Sequence, residues 1–201
     1  MTVGAILLAA GTGSRMGSNK LLAPLGGKPL VRHAADAIVS AGLPLVAVTS
    51  DSEVDAALAS TGATFVSAGG GPPAIGRSIA LGIAALAQDW TAALVCLGDM
   101  PFIRPETLHA IADAAATGRV VVPLRAGRRG NPLAWGKAFW PQLHVLSEDQ
   151  GARVLLAGLT DQMIPLDIED DGILRDIDTV EDLETAQARA GRFSAGGGGV
   201  P

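Results

Sequence analysis

The chain has 201 residues, 48% of them hydrophobic and 17% charged, a balance that gives enough apolar side chains for a buried core and excludes general disorder. A formal charge of −5 gives no support for general nucleic-acid binding, which wants a basic face, and no apolar run reaches the length of a membrane span. The N-terminus lacks the charged start and cleavage site of a signal peptide, so the expected location is the cytoplasm.

The first apolar run, Val3–Ala9, predicts a strand that breaks into a glycine-rich loop. Gly11, Gly13 and Gly17 let the main chain present N–H groups to an anion, while Arg15 and Lys20 add fixed positive charge. The segment reads as a phosphate cradle, although its spacing matches neither the dinucleotide fingerprint nor the P-loop. Lys28, in Gly26-Gly27-Lys28-Pro29, is read as decorating a turn.

Further along, strands are expected at Leu45–Thr49, Thr64–Ser67, Ala92–Leu97 and Val120–Pro123, alternating with helices at Leu30–Ser40, Ser52–Ser60, Ile75–Gln88 and Arg104–Thr117. That alternation predicts a single-domain, three-layer α/β/α fold of Rossmann-like type with a mainly parallel sheet. Regularity weakens after Pro123: Arg125–Asn131 reads as a basic loop, Pro132–Trp135 as a short strand, Gly151–Leu156 as a short helix and Val180–Arg189 as the last helix. The expected domain is 1–190, followed by a disordered glycine-rich tail at 191–201.

Leu97-Gly98-Asp99-Met100-Pro101 ends the most hydrophobic strand, where ligands of open α/β sheets bind, so Asp99 is expected in the crevice that the glycine-rich loop faces. A carboxylate beside phosphates suggests Mg²⁺; the competing role is a cap for the helix after Pro101. In Arg175-Asp176-Ile177-Asp178-Thr179 a second carboxylate could complete the metal site, and Thr179 with Asp182 forms a capping-box pattern. Gly69–Ser78 leads into a helix whose start could receive an anion or a base edge. Arg125, Arg128 and Arg129, followed by Gly130-Asn131-Pro132, make a basic patch suited to a second phosphorylated ligand. Cys96 reads as a buried small hydrophobe, and His33, His109 and His144 receive no chemistry.

Taken in order, LAAGTGSRMGSNKLL, LGDMP, GNP, DQGAR and DIDTVEDL resemble the MobA-like nucleotidyltransferases, most closely the molybdenum cofactor cytidylyltransferases, from about Val3 to Ala190. The resemblance implies an enzyme that moves CMP from CTP to the terminal phosphate of molybdopterin and releases pyrophosphate, with Mg²⁺ held by Asp99 and Asp178 and with Asp176 in reserve. On this reading Arg15, Lys20 and Asp99 are catalytic, and nucleotide contacts come from Leu8, Ala9, Ala10, Gly11, Gly13, Arg15, Lys20, Ser78, Gly98 and Asp99. Acceptor contacts come from Arg129, Gly130, Asn131 and Pro132, and a molybdoenzyme would receive the product. Guanylyltransferase relatives typically read LAGG where this chain has Leu8-Ala9-Ala10-Gly11, which favours CTP over GTP. Asn131 stands where histidine is frequent, which bears on the acceptor. Phe102, Trp135 and Trp140 are the few aromatic candidates for stacking a pterin. The alternatives are another nucleoside triphosphate or acceptor, a cofactor-binding chaperone, or a flavin- or NADPH-dependent oxidoreductase on the same scaffold.

Overall fold

The computed structural model of the chain describes residues 2–11, 19–69, 74–146 and 150–195, with residues 189–195 described by their backbone alone. The elements in chain order are β1 (Thr2–Ala9), β2 (Pro24–Leu25), β3 (Lys28–Pro29), α1 (Leu30–Ser40), β4 (Leu45–Thr49), α2 (Ser52–Leu58), β5 (Thr64–Ser67) and α3 (Ile75–Ala84). They continue with β6 (Trp90–Leu97), α4 (Pro105–Asp113), β7 (Val120–Arg125), β8 (Arg128–Arg129), β9 (Leu133–Gly136), α5 (Trp140–His144), β10 (Met163–Asp167) and α6 (Val180–Ala195). The main sheet runs β10-β7-β9-β6-β1-β4-β5, with β8 paired to β7.

β1, β4, β5 and β6 pair parallel, as do β7 and β10, whereas β9 is inserted antiparallel between β6 and β7. The mainly parallel α/β/α arrangement expected from the alternating pattern is therefore present. A strand buried on both faces must be apolar at consecutive positions, and β1 shows why. Ala5, Leu7 and Ala9 pack with Val31, Ala35 and Ile38 of α1, Val54 and Leu58 of α2, and Leu108 and Ile111 of α4. The intervening Ile6 packs on the other face with Ile79 and Ile83 of α3 and with Trp140 and Leu143 of α5.

Two expected elements are shorter than their patterns suggested, since α3 stops at Ala84 and α4 at Asp113. β10 and the β2–β3 hairpin lie where the sequence predicts no strand, and the expected loop Arg125–Asn131 is instead a tight hairpin in which β8 pairs with the end of β7. The β2–β3 hairpin turns at Gly26 and Gly27, whose φ values of +58° and +81° suit glycine. Lys28 leaves that turn to bond Asp36 at 2.6 Å, in keeping with a turn residue outside the site. α6 runs past the expected Arg189 end to Ala195, and residues 196–201 lie outside the described residues. Its side chains Leu183 and Ala186 pack with Ile177, Leu25 and Leu30, fastening the end of the chain to the hairpin.

The loop after β6 is held from a distance by Asp170, a 6% exposed carboxylate. It accepts hydrogen bonds from the Arg104 N–H at 2.9 Å, the Thr107 hydroxyl at 2.7 Å and the Gly172 N–H at 2.9 Å. The capping role once open to Asp99 thus belongs to Asp170, because α4 starts only at Pro105. Burial alone would raise the Asp170 carboxyl, but these donors outweigh it and hold it below its ordinary value. Its stabilising contribution is therefore complete above the unfolded-state pKa and is lost as pH falls through the lower folded-state value. Asp170→Ala is expected to destabilise the fold by about 3 kcal/mol at neutral pH and to flatten the acid limb of a urea-stability profile measured between neutral pH and the lower carboxylate range.

Candidate functional site

Leu8 of β1 faces Leu97 of β6 in register, and the ladder continues one step beyond the strand through a bond from the Gly98 N–H to the Leu8 carbonyl at 3.1 Å. β1 connects onward to β4 on one side while β6 lies on the other, so the crevice outside their carboxyl ends is a topological switch point. Gly98 is needed for this approach, since a Cβ there would meet Leu21, the Leu8 carbonyl and Val31 at 3.2–3.3 Å.

A cavity of about 340 Å³ opens at this point, lined by Leu8, Ala10, Gly11, Lys20, Leu21, Ala74, Ile75, Ser78, Leu97, Gly98 and Asp99. The strand end, the lysine, the start of α3 and the LGDMP aspartate thus share one wall, as the sequence reading expected. Gly13, Arg15 and Gly17 of the cradle lie outside the described residues, as do Gly70–Pro73. α3 begins here without a side-chain cap. Its first turn directs the positive end of the helix dipole at the cavity.

Lys20 is the centre of charge. Its ammonium donates to Asp99 Oδ2 at 2.8 Å and to Asp178 Oδ1 at 2.7 Å. Burial alone would lower the Lys20 pKa, but the hydrogen bonds to Asp178 and Asp99 outweigh that and raise it. Asp176 responds in the opposite sense to an ordinary surface acid: burial first, then the Asp178 and Asp99 charges, push its carboxyl up, with Lys20 opposing.

Each charged group is fixed by a specific device. Asn19 accepts from the Leu21 N–H at 3.1 Å, closing the turn that carries Lys20. It also donates to Asp51 Oδ2 at 2.8 Å, and Asp51 in turn caps α2 through the Glu53 N–H. Asp178 precedes a reciprocal cap in which the Thr179 N–H donates to Asp182 at 2.9 Å and the Asp182 N–H donates back to Thr179 Oγ1 at 3.1 Å. The capping-box expectation for Thr179 and Asp182 is met. Asp99 and the DIDT segment are joined by a main-chain bond from the Ile177 N–H to the Asp99 carbonyl at 2.9 Å.

The residues present suit a hard divalent cation. Among the described residues Asp99 Oδ1 is buried without a hydrogen-bond partner, so that oxygen retains the lone pairs such an ion would use. Among the described residues, however, no group of three or more His, Cys, Asp and Glu side chains is close enough to form a metal cluster.

Beyond this cavity lies a second, of about 240 Å³, that shares Leu8, Ile75 and Leu97 with the first and is otherwise lined by Ile79, Val95, Asn131, Leu133, Trp135, Gly151, Ala152 and Arg153. It brings together GNP and DQGAR, whose contact is a bond from Arg153 Nη2 to the Gly130 carbonyl at 3.0 Å. Gly130 itself packs against Ile173, and the Asn131 N–H donates to the Ile173 carbonyl at 2.9 Å. Arg153 had not been singled out from DQGAR; an arginine after Gly-Ala, beside a second anion-binding motif, was the available signal.

The basic patch around Arg125 is not assembled as expected. Arg125 bonds Glu169 and Asp171, each at 2.7 Å, and Arg129 is exposed on β8 and borders neither cavity. Of the aromatic candidates, Trp135 is fully buried on the second cavity's wall, Trp140 is buried behind it, and Phe102 lies under the Arg175 guanidinium at 4.5 Å. Cys96 is buried, and burial pushes its thiol up to about 12, which leaves it inert as a nucleophile.

A switch-point cavity with a lysine, two opposed carboxylates and a helix start defines a nucleotide-binding α/β domain built for phosphate chemistry. Residues 5–163 match the MobA-like NTP transferase domain family, and the chain belongs to that family. It is thus a domain of the nucleotidyltransferase type. Bifunctional protein GlmU of Sinorhizobium medicae is 36% identical over 139 residues, covering 66% of this chain and 30% of GlmU, so the chain spans under a third of that relative. A nucleotidyl transferase from Methanothermobacter thermautotroptrophicus superimposes with a TM-score of 0.80 at 26% identity, covering 96% of this chain and 99% of the other. Rv0371c from Mycobacterium tuberculosis gives a TM-score of 0.84 at 25% identity, covering 94% and 99%. That mycobacterial protein has also been solved in complex with manganese, with a TM-score of 0.74 at 22% identity over the same shares. No helix among the described residues is long and apolar enough to cross a membrane.

The Asn19 device gives a direct test of how Lys20 is placed. Asn19→Ala is expected to let the Asp51 pKa climb back toward its ordinary value, because the Asn19 bond is the first cause of its depression. It should also weaken nucleotide binding about fivefold, the equivalent of the ~1 kcal/mol such caps contribute. Carboxylate NMR titration and equilibrium binding would read the two effects.

Proposed function

We propose that this chain transfers CMP from CTP to the terminal phosphate of a molybdopterin-type acceptor in the cytoplasm, with Mg²⁺ held by Asp99 and Asp178. The observation that carries the reading is the Asp99–Lys20–Asp178 cluster on a nucleotide-sized cavity that shares walls with a second cavity. The manganese complex of the mycobacterial protein supports a divalent ion in this fold.

In the proposed reaction an oxygen of the acceptor's phosphate forms a bond to the α-phosphorus of CTP. The bond from that phosphorus to the bridging oxygen breaks, and pyrophosphate departs with the electron pair. Lys20 meets the charge growing on the α-phosphate, and Arg15 holds the departing β- and γ-phosphates. The start of α3 ahead of Ser78 offers N–H groups to the nucleotide, and Ser78, whose own N–H bonds the Ala74 carbonyl at 3.0 Å, lines the same cavity. Asp99, Asp178 and, in reserve, Asp176 would hold the divalent ion, which would supply positive charge to neutralise the triphosphate. Ala10 lines the cavity, and its methyl group narrows the base pocket in favour of a pyrimidine.

The acceptor belongs in the second cavity. Its apolar walls at Ile79, Val95, Leu133 and Trp135 suit a flat ring, and Asn131 and Arg153 offer donors to polar edges or phosphate. A molybdoenzyme is the natural recipient of the product.

Pyrophosphate release with Mg²⁺ and molybdopterin, compared across CTP, GTP and ATP, tests the reading. Release is expected with CTP; release with GTP alone would overturn the base, and silence with all three would overturn the reaction. Asp99→Asn is expected to lower turnover by roughly 10²–10³, the loss typical of removing one preorganised charge, with the circular-dichroism spectrum unchanged. Arg153→Ala is expected to raise the KM for the acceptor by about tenfold, from the loss of a charged hydrogen bond. The KM for CTP should stay within about twofold, since Arg153 lies outside the first cavity's lining.

A further inference from the structure

One oxygen of each acid that would hold a divalent ion is already engaged by Lys20, with Asp99 Oδ1 left over. Lys20 Nζ lies 2.8 Å from Asp99 Oδ2 and 2.7 Å from Asp178 Oδ1, the position of a cation bridging two acids. Asp178 is 57% exposed and Asp99 is 21% exposed, so Asp178 is drawn onto the site from the solvent side. Without a cation between them, the two carboxylates would repel and separate. An ammonium and a divalent ion cannot both occupy the space between the same two oxygens, because like charges at that separation repel strongly in a partly desolvated cleft.

We propose that Lys20 is a built-in counter-cation, which keeps Asp99 and Asp178 assembled and which the divalent ion must replace, so that metal binds productively only together with the nucleotide. The proposal rests on the nucleotidyltransferase reading above and concerns the order in which its ligands enter. The lysine has somewhere to go: it lines the same cavity as Gly11, Ser78 and the start of α3, where a triphosphate supplies new negative charge. Phosphate draws the ammonium off the carboxylates, and the carboxylates are then free for the metal. Linkage makes the effect reciprocal, so nucleotide raises metal affinity by the same factor by which metal raises nucleotide affinity. Asn19 holds the backbone of the lysine's turn, which confines the exchange to the side chain. Through this device, free divalent ions do not collect at the acids in the absence of substrate.

The test is the binding of Mn²⁺ alone, followed by the electron paramagnetic resonance of free Mn²⁺, to the wild type, Lys20→Met and Lys20→Met/Asp99→Asn, with folding verified by circular dichroism. Lys20→Met is expected to bind Mn²⁺ roughly tenfold or more tightly than the wild type, within the range of ordinary site couplings, and the double variant is expected to lose that gain. A crystal structure of the wild type with Mn²⁺ and cytidine 5′-(α,β-methylene)triphosphate is expected to show Lys20 on phosphate and Mn²⁺ between Asp99 and Asp178. Equal Mn²⁺ affinity in wild type and Lys20→Met, or Mn²⁺ seated while Lys20 still bonds both acids, would overturn the exchange and leave the transferase reading standing. Absence of Mn²⁺ binding in every protein, with or without the analogue, would overturn the metal assignment and the exchange with it.

Discussion

Every charged group of the site depends on the parallel register of β1 and β6. Their pairing from Val3–Ala92 to Leu8–Leu97 brings two loops, widely separated in sequence, out of adjacent strand ends. The alignment is secured by burial on both faces: Ile6, Leu7 and Leu94 are fully buried, and Cys96 nearly so. A one-residue slip would turn every one of those side chains to the opposite layer. The register therefore fixes the separation of the two strand ends from which the Lys20 and Asp99 segments depart. The third partner, Asp178, is brought to the same strand end by the main-chain bond from Ile177 to Asp99.

Much of this architecture could be read in the sequence because it is written locally. β1 and β6 are apolar at successive positions, as strands covered on both faces must be, and the LGDMP and glycine-rich segments follow them directly. What escaped was decided by partners far along the chain. β10 is a half-buried edge strand interrupted by Pro165, so it carries neither clean alternation nor a continuous apolar run. The antiparallel direction of β9 has no local signature at all. Arg125 looked available for a ligand because Glu169 and Asp171 lie more than forty residues away. Asp99 looked like a helix cap for the same reason, since Asp170, which holds the start of α4, is distant in sequence. The cluster of Lys20, Asp99 and Asp178 was named residue by residue from motifs, but the bridging position of the lysine is a property of three-dimensional charge balance.

That balance has a clear sign. A chain of net charge −5 gathers acids around one lysine and, under the proposed reading, relies on that lysine, the start of α3 and a divalent ion to accept a polyanion. The Asp176 carboxyl is raised first by its burial and then by the Asp178 and Asp99 charges that a single ammonium serves together. Asp182 does not add to those charges at the site in the same way, because its carboxylate is taken up by the Thr179 N–H and hydroxyl. Under the proposed reading the acids are thus divided between one that shapes the backbone and those that meet the ligand.

The two cavities divide along the same line as the sheet. The first is built from the parallel strand ends of β1 and β6 with α3, elements whose geometry is set by the core. The second adds Leu133 and Trp135 of the inserted β9 and the Gly151–Arg153 segment, with Gly130 and Asn131 anchored on Ile173. Under the proposed reading, nucleotide chemistry is carried by the part that cannot change without disturbing the register. Acceptor choice is carried by an insertion whose side chains can vary while β1 and β6 stay aligned. Asn131 illustrates the consequence: it lines the second cavity and not the first, so under that reading its amide bears on what the acceptor meets and leaves the Lys20 cluster untouched.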